Sequence, residues 1–317
     1  MLRPCIRVAF FVLAIVSIVQ PARAAEFAMK KDAASLTVLD GAQPVLIYRF
    51  GPVEPPEGVD KEKYRRACYI HPLFDLDGVA FTEDFPAHHH HQRGVFWAWP
   101  EATLGGRRID TWALEGTRPH FAEWIEETSA SDHATVGVKN FWKFDGEETP
   151  IVEERVFFTV RAASDNVRSI DFDLTFKNLG KEPLTLKGAI DKGYGGFGVC
   201  PDTKRKPFVF HTKDGVLAKD ALQYATPWAD VALAPDASGK TSGVAIFQHP
   251  GNPGYPHDGW MFREYGYLGA AWPHEAGFTL QPEESVRLRY RLVIHRGTAE
   301  AANVATLFQQ YESESKP

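Results

Sequence analysis

Four consecutive histidines, His88, His89, His90 and His91, sit inside the segment of residues 84–99, Asp-Phe-Pro-Ala-His-His-His-His-Gln-Arg-Gly-Val-Phe-Trp-Ala-Trp. Imidazole binds metals, shuttles protons and changes charge near neutral pH. The run lies mid-chain, between a Pro-containing turn and an aromatic strand pattern, and is no purification tag. If residues 87–95 are extended, His88 and His90 face one side and His89 and His91 the other. At most two then share a site from that strand. Two histidines at i and i+2 begin a metal site and need a third ligand from elsewhere. His71, His120, His249, His257, Asp191 and Asp258 are the candidates. A divalent metal at this cluster is one option; the residues by themselves specify no cofactor. Arg93 adds a planar fork suited to a carboxylate or a pair of sugar hydroxyls.

Two other segments could meet this one. Residues 247–263 carry His249, Asn252, His257, Trp260 and Arg263. Prolines at 250, 253 and 256 and glycines at 251, 254 and 259 forbid a helix there and favour a stiff, irregular loop. Stiffness suits a site, because little ordering remains to be done on binding. Residues 191–198, Asp-Lys-Gly-Tyr-Gly-Gly-Phe-Gly, hold Lys192 and Tyr194 among glycines that follow no dinucleotide-loop layout. In an all-β setting such glycines serve a bulge or a close ligand approach. Asp191 and Lys192 read either as an acid/base pair or as a surface ion pair. The adjacent carboxylates Glu126-Glu127, Glu153-Glu154 and Glu283-Glu284 point apart in a strand and make no glycosidase pair from spacing alone.

The elements that must position these groups are mostly strands. Ile170, Phe172, Leu174 and Phe176 alternate with polar residues, as do Val286, Leu288, Tyr290 and Leu292. Such stretches are half-buried antiparallel strands with one wet face. Residues 36–39, 156–160 and 244–247 add shorter strands. Helical periodicity is confined to residues 299–311, with Thr298 as the start signal. Two loop-rich zones, 74–108 and 248–272, interrupt the pattern. No repeat or linker divides the chain after residue 24, so the expectation is one all-β domain, residues 25–317, built as a large antiparallel β-sandwich with long loops and one C-terminal helix.

Residues 1–24 read as a secretory signal: Arg3 and Arg7, an apolar stretch over 8–19, and Ala22-Arg23-Ala24 before a cleavage point. The expected location is therefore periplasmic or secreted, with no membrane attachment after cleavage. Removing Arg3, Arg7 and Arg23 leaves 32 basic residues against 41 acidic ones, a net charge of −9. That balance argues against nucleic acid as a partner. Cys68 and Cys200 remain, and an oxidising compartment permits a bridge without specifying one. Aromatic residues make up 13% of the chain. In a secreted protein some of these rings can stack on sugars while most fill a core.

Several stretches resemble a bacterial family of unknown function known by the label methane oxygenase PmoA. The most specific is Pro86 through the histidines to Arg93-Gly94 and Phe96-Trp97-Ala98-Trp99. The others are 193–198, Pro227-Trp228-Ala229-Asp230, and 243–253 with Trp260-Met261-Phe262-Arg263. The membrane subunit that shares this label crosses the bilayer, whereas no apolar stretch past residue 24 is long enough to do so. The resemblance implies a β-sandwich akin to the galactose mutarotase super-sandwich, and it selects His90 and His91, the pair nearest Arg93. On this reading His90, His91, Arg93 and His249 carry catalysis. Lys192, Tyr194, Trp228, Asn252, His257, Trp260 and Arg263 hold a small-molecule or oligosaccharide substrate. The expected activity is acid/base processing of a sugar, as epimerase, lyase or hydrolase. A non-catalytic sugar-binding protein and a His-ligated metal-dependent oxidase or oxygenase stand as the alternatives.

Overall fold

Period-two patterning becomes paired strands. Val167–Asn178 lies antiparallel to Ser285–Arg296, with Ile170 opposite Leu292, Phe172 opposite Tyr290 and Leu174 opposite Leu288. These six side chains are all buried, while Asp171 and Asp173 between them reach the wet face. Ser35–Asp40, Val152–Arg161 and Ser242–Gln248 contain the shorter strands expected at 36–39, 156–160 and 244–247. This computed structural model describes residues 26–164 and 166–315. The expected signal segment, residues 1–24, lies outside them.

The strands assemble into two nine-stranded sheets and one of four. The first sheet runs in the order Phe27–Lys31, Ser35–Asp40, Gln43–Arg49, Tyr69–Leu73, Val95–Ala98, Gly196–Val199, Tyr267–Ala270, Gly259–Arg263 and Ala221–Gln223. The second runs Gly215–Val216, Val209–Thr212, Trp228–Ala232, Ser242–Gln248, Ser285–Arg296, Val167–Asn178, Val152–Arg161, His133–Phe144 and Thr117–Ser129. Strand pairing is antiparallel in both. The expected all-β antiparallel sandwich is what the chain forms. Among the described residues no helix is long and apolar enough to cross a membrane.

Facing side chains of the two large sheets interdigitate into one core. Phe197 is at its centre, stacked on Tyr290 with ring centroids 4.7 Å apart and packed against Phe172 at 5.0 Å. Each such ring removed from water contributes about 1.5–3 kcal/mol. One carboxylate is buried among them: Glu154 accepts from Asn140 Nδ2 and Trp142 Nε1, both at 2.7 Å. Burial pushes its pKa up, against the pull of those two donors. Cys68 and Cys200 are both buried free thiols.

The C-terminal helix spans Val304–Glu314 rather than 299–311. Asn303 adopts a left-handed conformation, φ 54° and ψ 41°, which breaks continuity with the turn that Thr298 opens. Val304, Phe308 and Tyr311, at i, i+4 and i+7, cover Phe247, Trp228, Ala245 and Val293 on the outer face of the second sheet. The segment before the helix is tied down by charge. Asp230 lies 2.7 Å from His295 Nε2 and 3.4 Å from His211 Nδ1, and His211 Nε2 reaches Glu300 at 2.9 Å. The Asp230 carboxylate raises the pKa of His211, with burial opposing it. Against burial's upward push, His295 and His211 hold Asp230 below the usual carboxylate range.

A pH effect follows, with its sign fixed by those directions. A raised histidine pKa stabilises the fold fully below the unfolded value, about 6.5, and this is lost as pH rises through the folded value. Comparing the thermal midpoint of the wild type with that of His211→Gln isolates the term. The difference is expected to be largest at mildly acidic pH and to shrink on the alkaline side. A gap that does not vary with pH would remove charge from this account.

Candidate functional site

The histidine run is not a strand. Pro86 carbonyl accepts from the His89 amide at 3.0 Å and His89 carbonyl from the Gln92 amide at 2.8 Å, while His88 sits at φ 69°. Turns take the place of the expected extended segment, yet His89 and His91 still share one side as alternation predicts, and His88 departs from it. The turns direct His89 and His91 toward one cleft, with His88 at its edge. His90 faces the other way, its ring edge against Tyr64 at 5.6 Å. His90 is therefore corrected out of the cleft and His89 takes its place.

The base of this loop is closed by residues 84 and 93, which form an antiparallel bridge in the backbone and an ion pair of 3.0 Å in their side chains. Arg93 is fully buried. It also donates to Tyr69 Oη at 3.1 Å and to the Tyr64 carbonyl, and its guanidinium lies 3.3 Å from the centre of the Phe85 ring. Tyr69 Oη in turn donates to Asp84 at 2.8 Å. Arg93 thus positions the loop and does not line the cleft, which corrects its expected catalytic role. Gly94 follows, where a Cβ would stand 2.0 Å from the Ile70 carbonyl oxygen and 2.8 Å from His71 Cβ. Gly94→Ala must push the strands Tyr69–Leu73 and Val95–Ala98 apart, at a cost of roughly 1–3 kcal/mol. The expected result is a lowered thermal midpoint; an unchanged one would contradict this close approach.

The cleft has a volume of about 310 Å³ and opens on the outer face of the first sheet, above Phe96 and Met261. Trp112 forms its floor, 5.1 Å from Tyr194 and 6.0 Å from His91. His89 stacks flat on Tyr265 at 4.1 Å, and Gln92 Nε2 donates to Tyr265 Oη at 3.2 Å. The Arg263 guanidinium lies 5.4 Å from the Tyr265 ring centre and 3.4 Å from Asp220, and its Nε is buried without a hydrogen-bond acceptor among the described residues. Lys192 stands exposed on the rim. Burial, with the charge of His89, Arg66 and Lys63 added, takes His91 down to about 4. Burial also lowers His89, next to His88 and Arg263. Both imidazoles are neutral at pH 7. Burial raises Tyr194 and Tyr265, so both keep their protons.

The remaining expected residues go elsewhere. His249 lies on the opposite side of the sandwich, in a cleft of about 600 Å³ on the wet face of the second sheet, beside Arg289 and Tyr311. Its Nδ1 accepts from the Gly251 amide at 2.8 Å, and burial with Arg289 takes it down to about 4. Asn252 is buried and bonds twice to the Arg289 backbone, at 2.7 and 2.8 Å. Trp260 is a core residue whose Nε1 donates to the Thr226 carbonyl at 2.9 Å. His257 stacks on Trp260 at 6.4 Å, and Trp228 is buried under the C-terminal helix. Asn252 ties the proline-rich loop to the second sheet, and none of these groups lines the His91 cleft. His91, Lys192, Tyr194 and Arg263 are the expected site residues that meet. Among the described residues no group of three or more His, Cys, Asp or Glu side chains is placed to hold a metal ion.

The model of a family of unknown function, DUF6807, matches residues 35–309. The chain belongs to the DUF6807 family. No protein of curated function matches it. Among solved structures it is similar to an α-galactosidase from Geobacillus stearothermophilus, at 11% identity and a TM-score of 0.34, over 86% of this chain and 40% of that one. It is similar to a heparan sulfate lyase from Pedobacter heparinus at 8% identity and 0.36, over 86% and 36%. A Klebsiella pneumoniae protein assigned as an aldose 1-epimerase gives 9% and 0.32, over 89% and 82%. The DUF6807 chain thus spans well under half the length of the first two. At these values the similarities carry no argument about its chemistry.

Sequence reasoning missed His89, Gln92, Trp112 and Tyr265 in the DUF6807 cleft. Tyr265 was within reach, since it lies two residues past Arg263 and shares its side of the strand end. Trp112 carries no such signal. It arrives because Asp110 accepts from the Trp112 and Ala113 amides, at 2.9 and 2.7 Å, and folds that segment over the sheet.

Proposed function

We propose that this chain is an extracytoplasmic carbohydrate-processing enzyme that works on a sugar or glycan fragment by histidine-based acid/base chemistry. The observation that carries it is His91, neutral and mostly buried in a cleft walled by Trp112, Tyr194 and Tyr265, with Lys192 and Arg263 at the mouth. A neutral imidazole accepts a proton, and a tyrosine that keeps its proton donates one. Aromatic walls with a few convergent polar groups suit a sugar, whose ring has apolar faces and a polar rim. The volume matches the lower end for small-ligand sites, about 300 Å³. The signal-like residues 1–24 support export.

The test is incubation of the purified protein with a panel of glycans and keto-sugars, read by mass spectrometry. A changed sugar that requires His91 supports the reading. Binding without product over long incubation would make the protein a sugar-binding module instead.

A further inference from the structure

We infer that the cleft takes an acidic sugar, a hexuronate or a glycan bearing one, with the carboxylate held between Lys192 and Arg263. This rests on the sugar-processing reading and narrows its substrate class. Among the described residues that line the cleft none is Asp or Glu, whereas Lys192 and Arg263 are basic. Two carboxylates near the cleft are engaged elsewhere. Asp84 is paired with Arg93, and Asp110 accepts from the Trp112 and Ala113 amides and from Arg108 at 3.0 Å. Asp220 faces Arg263 from outside the cleft at 3.4 Å, and Arg263 Nε keeps no acceptor among the described residues. A neutral sugar would leave Lys192 and the free Nε of Arg263 without an anionic partner, whereas a carboxylate can accept from both.

The chemistry points the same way. Two-carboxylate glycoside hydrolysis has no pair among these lining residues. A uronate instead offers a C–H bond α to its carboxylate, and that bond becomes more acidic once Lys192 and Arg263 neutralise the carboxylate. His91 takes this proton. In an elimination, the electron pair of the C–H bond becomes the double bond between the α and β carbons as the β C–O bond breaks. The departing oxygen then takes the Tyr194 proton, so that atoms and electrons balance without a co-reactant.

Calorimetric titration separates the outcomes. The ligands are glucuronate, galacturonate, their methyl esters, glucose, galactose and a sulfated galactose. The free acids are expected to bind at least about tenfold tighter than their esters or the neutral sugars. Lys192→Ala, an exposed change that leaves the circular dichroism spectrum intact, should abolish most of that preference. Equal binding of acid and ester, or a preference for the sulfated sugar, overturns the uronate inference and leaves sugar processing standing. No binding or conversion of any sugar overturns the reading beneath it. Acid binding with neither unsaturated nor epimerised product from a uronate oligosaccharide overturns the proton-transfer step alone.

Discussion

His91→Ala is expected to lower kcat by about 10²–10⁴-fold, the usual contribution of a positioned general base. His91→Gln should do the same while filling the space beside Trp112, which separates lost proton transfer from lost packing. The pH profile adds a sign. His91 must be neutral to accept a proton, and in the free protein its pKa lies at about 4. The acid limb of kcat/KM, which reports the free enzyme, should therefore fall only as pH drops through that value. A bound carboxylate favours the imidazolium and raises the pKa, so the acid limb of kcat should lie at higher pH than that of kcat/KM. Coincident limbs would mean that no anion sits beside His91. Wild-type turnover in both variants would remove His91 from the chemistry.

The cleft was legible in the sequence where side-chain type decided the matter, and illegible where backbone geometry did. Alternation along 170–177 and 286–294 reports burial directly, so the sandwich could be read from it. Lys192, Tyr194, Arg263 and the histidine run stood out as polar or ionisable groups among turn residues. Alternation already paired His89 with His91, and the resemblance chose His90 instead; what no periodicity encodes is the pair of turns and the positive φ that bring His88 to the same cleft. His249 misled for a related reason. The proline-rich loop that holds it follows a strand of the second sheet, Ser242–Gln248, whereas Arg263 ends a strand of the first. Fourteen positions of sequence therefore cross from one face of the sandwich to the other. Asn252 and Trp260 are polar or amphipathic residues whose hydrogen bonds serve the fold, an assignment that composition cannot make.

Arg93→Ala is expected to cost about 3–5 kcal/mol of stability, because it leaves a mostly buried carboxylate without its counter-charge. Asp84 is 12% exposed and opposite a guanidinium that is 0% exposed, so little water is available to replace the lost partner. Tyr69 Oη and the Tyr64 carbonyl lose a donor in the same change. Arg93→Lys keeps the charge but not the fork that reaches three acceptors, and should recover only part of the loss. The measurement is urea unfolding, where the midpoint should fall while the slope stays the same. Loss of activity should accompany this, since residues 84 and 93 close the loop that aims His89 and His91. A positioning role predicts that the folded variant binds sugar more weakly and that Arg93→Lys restores binding and stability in step. Undiminished stability with abolished binding would instead place Arg93 against the substrate. The buried arginine would then have to leave Asp84 on ligand entry, stranding a mostly buried carboxylate without its counter-charge.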